Sequence, residues 1–327
     1  MLKKEVIGMK RIFLFLSFAV ILIGLTGCGG TPTETGNTFI GGTKGLEINF
    51  LQDSPPDEAF DAGQRPFDVT VMLRNVGEYD VPKESVKAKL SGLSPADFFV
   101  PPEEFIKIAD EDLTKTTKDP EGNKIEGTIS TITFNNLDYR GILSGPTVFP
   151  IRVDVCYKYG TIAESRLCVK ENVLNTREKA VCIVTEEKAV ENSGAPIHVT
   201  LFKEFAKAKD KIGFSFTVEQ VGEGSIFKRE TNCNAGTVSM IDENKVWVEV
   251  NTNVQAPLTC SGLIGGGDNY GYFVLFKGDQ SAGSLSRTVT CTQELPPTTT
   301  AYETLVRIKM EYDYRDFVSK EITIKHG

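Results

Sequence analysis

Histidine, the side chain that most often acts as a catalytic base, occurs only twice in this chain of 327 residues. His198 lies between Ile197 and Val199 in an alternating apolar segment, so its ring is expected on the opposite, solvated face of a strand. His326 is the penultimate residue. No G-x-S-x-G elbow, H-E-x-x-H pair or phosphate-binding P-loop occurs. Paired carboxylates of the glycosidase kind converge only in space and stay open as an alternative. The sequence predicts no enzyme, no catalytic residue and no cofactor.

Metal-binding patterns are equally weak. No pair of cysteines has the C-x-x-C spacing, which together with the shortage of histidines argues against zinc. The acidic segment 109–124 could offer oxygen ligands to Ca²⁺, but it lacks the EF-hand order and lysines interleave opposite charge. These candidate ligands are Asp110, Asp112, Asp119, Glu121 and Asn123. A solvated loop is the prediction, with no metal.

One cysteine, Cys28, stands where an apolar leader ends. Basic residues at positions 3, 4, 10 and 11 precede an uncharged stretch from Ile12 to Leu25, which is typical of a secretory signal. The letters LTGC at 25–28 resemble the lipobox of prokaryotic lipoproteins, in which the cysteine thiol receives a diacylglyceryl group before the signal is removed. This predicts a signal peptide at 1–27 and lipidation of Cys28, the alternative being a chance cysteine after an ordinary signal. Two acyl chains would give stable membrane anchoring outside the cytoplasm, at the cell surface.

Residues 28–45 are rich in glycine, threonine and proline, and so predict a flexible tether from the membrane. Removal of the signal leaves 32 basic and 43 acidic residues, a net charge near −11. An acidic chain without basic clusters argues against nucleic acid as a partner. The membrane, reached through the lipid on Cys28, and another surface protein or a polysaccharide are the expected partners.

Beyond the tether, apolar residues recur with a period of two, as at Leu46, Ile48 and Phe50. The same alternation occurs in 67–73, 86–90 and 149–159, and turn-forming residues separate these segments. Many short strands at such spacing predict an all-β fold of antiparallel β-sandwiches. No stretch of ordinary helix length shows a period of 3.6.

The second half of the chain repeats the first. The segment 67–78, FDVTVMLRNVGE, matches 212–223, IGFSFTVEQVGE, without a gap. Likewise 151–170 matches 306–325, with the Tyr-x-Tyr pair Tyr157/Tyr159 over Tyr312/Tyr314. We therefore predict two tandem immunoglobulin-like sandwiches at 46–174 and 181–327, joined at 175–180.

Six cysteines follow Cys28, and in an exported chain an even set predicts disulfides. Cys156 and Cys168 fall on what the pattern suggests are two arms of a hairpin, and both are absent from the second copy, so they are predicted to bond to each other. The remaining four allow three pairings, of which the sequence selects none, and two bonds are expected among Cys182, Cys233, Cys260 and Cys291.

A glycine-rich segment at 261–273 provides the candidate recognition loop. It lacks the strand-to-helix context of a phosphate loop and is interpreted as a mobile surface loop. Loops of β-sandwiches often carry binding residues, so Tyr270 and Tyr272 are predicted as a possible binding patch. Trp247, on the strand face opposite its neighbouring valines, is assigned to a core or inter-sheet position.

The segments GLEINF and FDVTVMLRNVGEYDV and the terminal Tyr-x-Tyr segment resemble immunoglobulin-like domains of the CARDB (cell-adhesion-related) kind on microbial, especially archaeal, cell surfaces. The resemblance implies a β-sandwich and an adhesive or scaffolding role, and it transfers no functional residues. The expected function is a membrane-anchored surface lipoprotein for binding, adhesion or envelope scaffolding. The alternative is an extracytoplasmic solute- or substrate-binding accessory protein of a transporter or hydrolase.

Overall fold

A computed structural model describes residues 37–175, 181–233, 240–277, 284–297 and 300–327. The strands are β1 (Leu46–Phe50), β2 (Glu58–Phe60), β3 (Phe67–Asn75), β4 (Val86–Ser91), β5 (Ile106–Ile108), β6 (Thr117–Lys118), β7 (Lys124–Ile125), β8 (Ile129–Leu137), β9 (Thr147–Val169), β10 (Glu187–Lys188), β11 (Glu191–Asn192), β12 (Ile197–Ala208), β13 (Lys211–Gln220), β14 (Ser225–Phe227), β15 (Lys245–Asn251), β16 (Leu258–Ser261), β17 (Tyr270–Val274), β18 (Phe276–Lys277), β19 (Leu285–Glu294) and β20 (Tyr302–Lys325).

Helical structure in these ranges is limited to three single 3₁₀ turns, at Lys83–Ser85, Pro102–Phe105 and Met240–Asp242. None of the helices found there is long and apolar enough to cross a membrane. The prediction of an all-β fold built from antiparallel sheets is confirmed. The predicted signal peptide and the lipidation site Cys28 lie outside the described residues.

One large sheet and two smaller sheets enclose the hydrophobic core. The large nine-stranded sheet has the order β17-β15-β20-β9-β4-β5, with β2, β11 and β14 paired at its sides. Opposite it lie a three-stranded sheet, β1-β3-β8, and a six-stranded sheet, β10-β12-β13-β19-β16, with β18 paired to β19. Strands β6 and β7 form a separate hairpin. Alternating residues of β3, such as Val69, Val71 and Leu73, are fully buried between the layers, as their period of two requires.

The repeat seen in the sequence reappears as a repeat of strand order. The order β1-β3-β8 of the first half corresponds to β12-β13-β19 of the second, and β9-β4-β5 corresponds to β20-β15-β17. The long strands β9 and β20 are antiparallel neighbours, with Tyr157 opposite Tyr314, Tyr159 opposite Tyr312 and Lys158 opposite Asp313. Because the repeat matches Tyr157 with Tyr312, this register relates the two copies by an approximate twofold axis between Lys158 and Asp313.

The two halves share the large sheet and one hydrophobic core, and Thr38–Gly327 forms one compact unit. The division into domains at 46–174 and 181–327 stays a prediction. The compact unit already begins within the predicted tether 28–45: Thr38 N–H donates to Glu191 Oε2 (2.7 Å), and Ala195 N–H donates to the Gly42 carbonyl (3.0 Å). Residues 38–45 therefore belong to the folded body.

Packing against a tyrosine explains why glycine occurs in both Val-Gly-Glu segments. Val76 and Gly77 donate their N–H groups to the Gly45 carbonyl, at 3.0 and 3.1 Å. A Cβ atom on Gly77 would collide with Tyr159 Oη, and one on Gly222, its counterpart, would lie 2.6 Å from Tyr314 Oη. Only glycine lets the turn pass beneath the second tyrosine of each Tyr-x-Tyr pair. The two repeated motifs are thus parts of one packing unit.

All six described cysteines form disulfides, but the predicted Cys156–Cys168 bond is wrong. The bonds are Cys156–Cys233, Cys168–Cys182 and Cys260–Cys291. Segment 147–169 is one continuous strand of 23 residues and not a hairpin. Cys156 and Cys168 are twelve positions apart on it, about 40 Å at the rise of a strand, far beyond disulfide reach.

The expectation that the four later cysteines pair among themselves is also wrong, apart from Cys260–Cys291, which joins β16 to β19. The first-half cysteines Cys156 and Cys168 each bond to a second-half cysteine. The shared sheet explains the long-range bond, because it brings Cys156 of β9 within reach of Cys233, whereas Cys168 and Cys182 are only 14 residues apart in the sequence.

Candidate binding surface

The outer face of β15 and β17 carries the predicted tyrosines. Trp247 lies opposite Tyr272 in the β-ladder, and Glu249 lies opposite Tyr270. Val246, Val248 and Val250 fill the core from the other face of β15, so strand alternation directs Trp247 outward. The sequence interpretation of Trp247 as a core or inter-sheet residue is therefore wrong. We name Trp247, Tyr270 and Tyr272 the aromatic patch.

The rings of the aromatic patch contact one another. The Trp247 and Tyr272 centroids are 4.8 Å apart in an edge-to-face arrangement, and the Trp247 and Tyr270 centroids are 5.6 Å apart. Tyr270 is 42% exposed, whereas Trp247 and Tyr272 are half-buried. The Arg229 guanidinium carbon lies 4.0 Å from the Trp247 ring centroid, a cation–π contact. The patch thus combines the residue types that dominate binding energy at protein interfaces.

A charged network borders the aromatic patch. Arg229 Nη1 lies 2.6 Å from Glu311 Oε2, Lys309 Nζ lies 2.9 Å from Glu311 Oε1, and Arg229 Nε donates to Tyr272 Oη at 3.3 Å. Burial would raise the pKa of Glu311, but hydrogen bonds from Lys309 and Arg229 outweigh it and hold the pKa below its usual value. The carboxylate is ionised at neutral pH and keeps Arg229 positioned over the tryptophan.

Tyr79 extends this network from the first half of the chain. Its hydroxyl donates to Glu311 Oε1 at 3.3 Å. Burial, followed by the charge of Glu311, raises the pKa of Tyr79 to about 12. The phenol therefore stays protonated, and it links the two halves on this face of the sheet.

The glycine-rich segment is pinned to the edge of β17. Ile264 and Tyr272 exchange two backbone hydrogen bonds, at 2.9 and 2.8 Å, and Gly267 N–H donates to the Tyr270 carbonyl at 2.9 Å. The two tyrosines themselves lie on strand β17 rather than in the loop. The loop runs along the strand edge and is hydrogen-bonded to the backbone of the patch, and its mobility stays a prediction.

The other candidate residues form no common site. His198 Nε2 lies 3.1 Å from the Gly42 carbonyl, and His326 Nδ1 lies 2.9 Å from Asp61 Oδ2. In the acidic segment, Asp119 accepts the N–H and side-chain amide of Asn123 across its own turn, at 2.7 and 2.9 Å. Its oxygens are used within the hairpin β6–β7.

One set of metal-ligating types does cluster: Cys156, Cys233 and Asp313 place one ligand atom each within 4.8 Å of one another. The two sulfur atoms are joined in a disulfide, however, and Asp313 accepts the N–H groups of Glu230 and Asn232, at 3.1 and 2.8 Å. This arrangement binds the segment before Cys233 to the centre of the large sheet.

A cleft of about 290 Å³ lies where β9 and β20 approach the segment around β10 and β11. Charged residues line it, and several are paired: Arg166 Nη1 lies 3.3 Å from Glu303 Oε2, and the wall residue Glu164 is paired with Arg307 outside the cleft, at 2.6 Å. Lys188, also on the wall, lies 3.6 Å from a carboxylate oxygen of the fully buried Glu204. Sequence reasoning missed Glu204, because the alternation of Ile197 and Val199 places it on the outer face of β12. A register shift between Val199 and Leu201 turns it into the core instead.

No family model and no curated protein matches this chain. Among solved structures, a weak likeness is found to the secreted serine protease VesC from Vibrio cholerae, at 8% identity and a TM-score of 0.16. The match covers 82% of this chain and 50% of the protease, so the chain spans half the length of that protein. At such a score the two do not share a demonstrated fold, and the activity in its name is a property of the protease.

Proposed function

We propose that this chain is an exported, lipid-anchored surface protein that binds a protein partner through the aromatic patch. The observation that carries the proposal is the cluster of Trp247, Tyr270 and Tyr272 with Arg229 on the outer face of the large sheet. Tryptophan, tyrosine and arginine are the residues most enriched among binding hot spots, and a half-buried cluster with one exposed ring has the anatomy of such a spot.

A protein partner is favoured over a polysaccharide by the geometry of Trp247. A sugar ring would stack on an open face of the indole, but the Arg229 guanidinium already lies over this ring at 4.0 Å. Tyr272 meets the indole in an edge-to-face contact. The most exposed groups are Tyr270, at 42%, and the Lys309 side chain, at 47%, whereas the Arg229 side chain is only 23% exposed. A phenol beside an ammonium suits the polar groups of a protein partner.

An oxidising compartment is supported by the three disulfides, since such bonds persist outside the cytoplasm. Lipidation of Cys28 and cleavage after residue 27 rest on the lipobox resemblance and belong to the proposal. The CARDB-like, immunoglobulin-like resemblance agrees with an adhesive or scaffolding role. The alternative of solute capture finds less support in the 290 Å³ cleft, because the ion pairs on its walls already satisfy much of its charge.

The test is site-specific photocrosslinking on intact cells of the source organism. A photoreactive phenylalanine analogue replaces Tyr270 in the full-length protein, and covalent adducts are identified by mass spectrometry. The control places the same analogue at Phe317, another exposed aromatic, which is 49% exposed on β20. We expect a protein adduct at position 270 but not at 317.

Adding Trp247→Ala to the Tyr270 probe should reduce the adduct about tenfold or more, as loss of a hot spot does. A carbohydrate adduct would favour the polysaccharide instead. Equal adducts at both positions, or an adduct that persists without Trp247, would refute the aromatic patch as the binding surface.

A further inference from the structure

The carboxylate of Glu78 holds a peptide segment through backbone groups alone. It accepts the N–H groups of Ile40 and Gly41, at 3.0 and 2.9 Å, and that of Gly194 at 2.7 Å. Segment 38–42 is therefore held at the end of the first Val-Gly-Glu turn by its backbone N–H groups, which any extended peptide possesses. Glu78 is half-buried beneath it.

The second copy contains the same turn in the same setting. Val221 and Gly222 donate to the Pro196 carbonyl at 2.9 and 3.0 Å, as Val76 and Gly77 donate to Gly45. Glu223 follows Gly222 as Glu78 follows Gly77. The approximate twofold axis thus assigns Glu223 the position that Glu78 has in the first copy.

At Glu223, however, no segment of the described chain fills the position. An open pocket of about 120 Å³ lies there, lined by Thr43, Lys44, Gly45, Leu46, Tyr157, Pro196, Val221, Gly222, Glu223, Tyr314 and Asp316. Within the described ranges, no hydrogen bond or ion pair reaches the Glu223 carboxylate, and this side chain is exposed where Glu78 is half-buried. The pocket is therefore the unfilled counterpart of the site that 38–42 occupies.

The lining of this pocket defines the chemistry of a ligand. Asp316 stands where the repeat places Thr161 in the first copy, so a second carboxylate joins Glu223 against the single ammonium of Lys44. The floor is formed by the buried tyrosines Tyr157 and Tyr314. A volume of about 120 Å³ is below the range of roughly 300–1,000 Å³ for drug-sized ligands, and suits a short stretch of narrow main chain.

We propose that the Glu223 pocket binds an extended, glycine-containing peptide segment whose backbone N–H groups donate to the Glu223 carboxylate. The ligand is a peptide from another polypeptide, bound in the manner in which Glu78 binds residues 38–42. The pocket shares no residue with the aromatic patch, so a test of one does not depend on the other.

The experiment titrates the purified full-length protein in detergent with the blocked, fluorescently labelled peptide acetyl-Thr-Phe-Ile-Gly-Gly-amide, the sequence of 38–42, and follows fluorescence polarisation. Glu223→Gln should weaken binding about tenfold or more, since the bonds lost are charge-assisted. Glu187→Gln, an exposed glutamate on β10, is the matched control and should leave the affinity unchanged.

Two further arms define the site and the ligand. Glu78→Gln should leave the peptide affinity unchanged; if it abolishes binding, the peptide has only displaced 38–42 from the Glu78 site. A peptide with N-methylglycine as its fourth residue lacks one N–H and should bind about tenfold more weakly or worse. Absence of binding at millimolar peptide, equal binding by Glu223→Gln, or equal binding of the methylated peptide would overturn the proposal.

Discussion

Replacing Glu204 by glutamine tests how burial controls a carboxylate beside a disulfide. Glu204 lies on β12 and is fully buried, and its two oxygens accept the N–H of Cys168 at 3.0 and 3.2 Å. Lys188 Nζ is 3.6 Å away. Burial nevertheless raises the pKa of Glu204 from 4.5 to about 8, because desolvation of the charge outweighs these favourable contacts.

The sign of the stability effect follows from this direction. Between pH 4.5 and about 8 the folded chain retains a proton that the unfolded chain has lost, so the free energy of unfolding falls as the pH rises through this window. One pKa unit corresponds to about 1.4 kcal/mol. The difference between 4.5 and about 8 then gives a loss of about 5 kcal/mol at most above pH 8.

Glu204→Gln keeps the shape and one acceptor oxygen but cannot ionise. The variant should therefore lack this loss, and its free energy of unfolding relative to that of the wild type should rise by several kcal/mol between pH 5 and pH 9. The assay is urea unfolding followed by circular dichroism at pH 5, 7 and 9 under non-reducing conditions, which keep Cys168–Cys182 intact.

The exposed Glu187→Gln on the neighbouring strand β10 is the control and should show a pH dependence like that of the wild type. A difference between wild type and Glu204→Gln that does not change with pH would refute the argument. If the wild type instead becomes the more stable of the two as the pH rises to 9, the contacts of Glu204 with Lys188 and Cys168 dominate over desolvation.

Three further outcomes can be measured. Gly77→Ala should destabilise the fold by about 2 kcal/mol or more in urea unfolding, because its methyl group would collide with Tyr159, whereas Gly145→Ala, with no atom within 4 Å, should stay within about 0.5 kcal/mol of wild type. Cys28→Ser should release the protein from membranes or leave an uncleaved precursor, and mature protein still bound to membranes would contradict the lipid anchor. Non-reducing peptide mapping should find the bonds Cys156–Cys233, Cys168–Cys182 and Cys260–Cys291, and a free thiol among them would contradict that pairing.

Local alternation made the fold class predictable. In β3 the buried residues Val69, Val71 and Leu73 are apolar and the residue after each of them is only half-buried, because a strand turns successive side chains to opposite faces whatever the tertiary context. The repeated Val-Gly-Glu segment was recognisable for a related reason, because the space beneath Tyr159 and Tyr314 admits only glycine. Strand alternation is therefore readable from adjacent residues, and the glycine turn is readable because the same packing contact occurs in both copies.

The disulfide pairing was not readable, because it depends on where a strand ends. The segment around Gly160 reads as a turn between two alternating runs, yet it continues as a strand. The ring of Tyr79 occupies the space that a side chain at Gly160 would need, so this glycine serves packing and not chain reversal. Trp247 was misassigned for a similar reason, since the alternation gave its face but did not say whether another layer covers that face.

The pairing of β9 with β20 removes two exposed sheet edges. Taken alone, each copy would leave its longest strand at an edge of the sheet, with unpaired backbone groups available for aggregation. Pairing the two strands from Tyr302–Val169 to Ile324–Thr147 removes both edges at once. The large sheet then ends at β17, which the Ile264 segment covers, and at β5.

Strand β5, at the other end of the large sheet, has an uncovered edge in the described structure. On its outer side no described strand pairs with it, and Ile106 and Ile108 are 52% and 49% exposed. The approximate twofold axis places these isoleucines where the second copy has Tyr270 and Tyr272, because Ile108 faces Lys87 as Tyr272 faces Trp247. The two ends of the sheet thus present corresponding outer faces, but only one has a covered edge. Strand addition by a partner would take place at β5, since no strand within the described ranges pairs with its outer side.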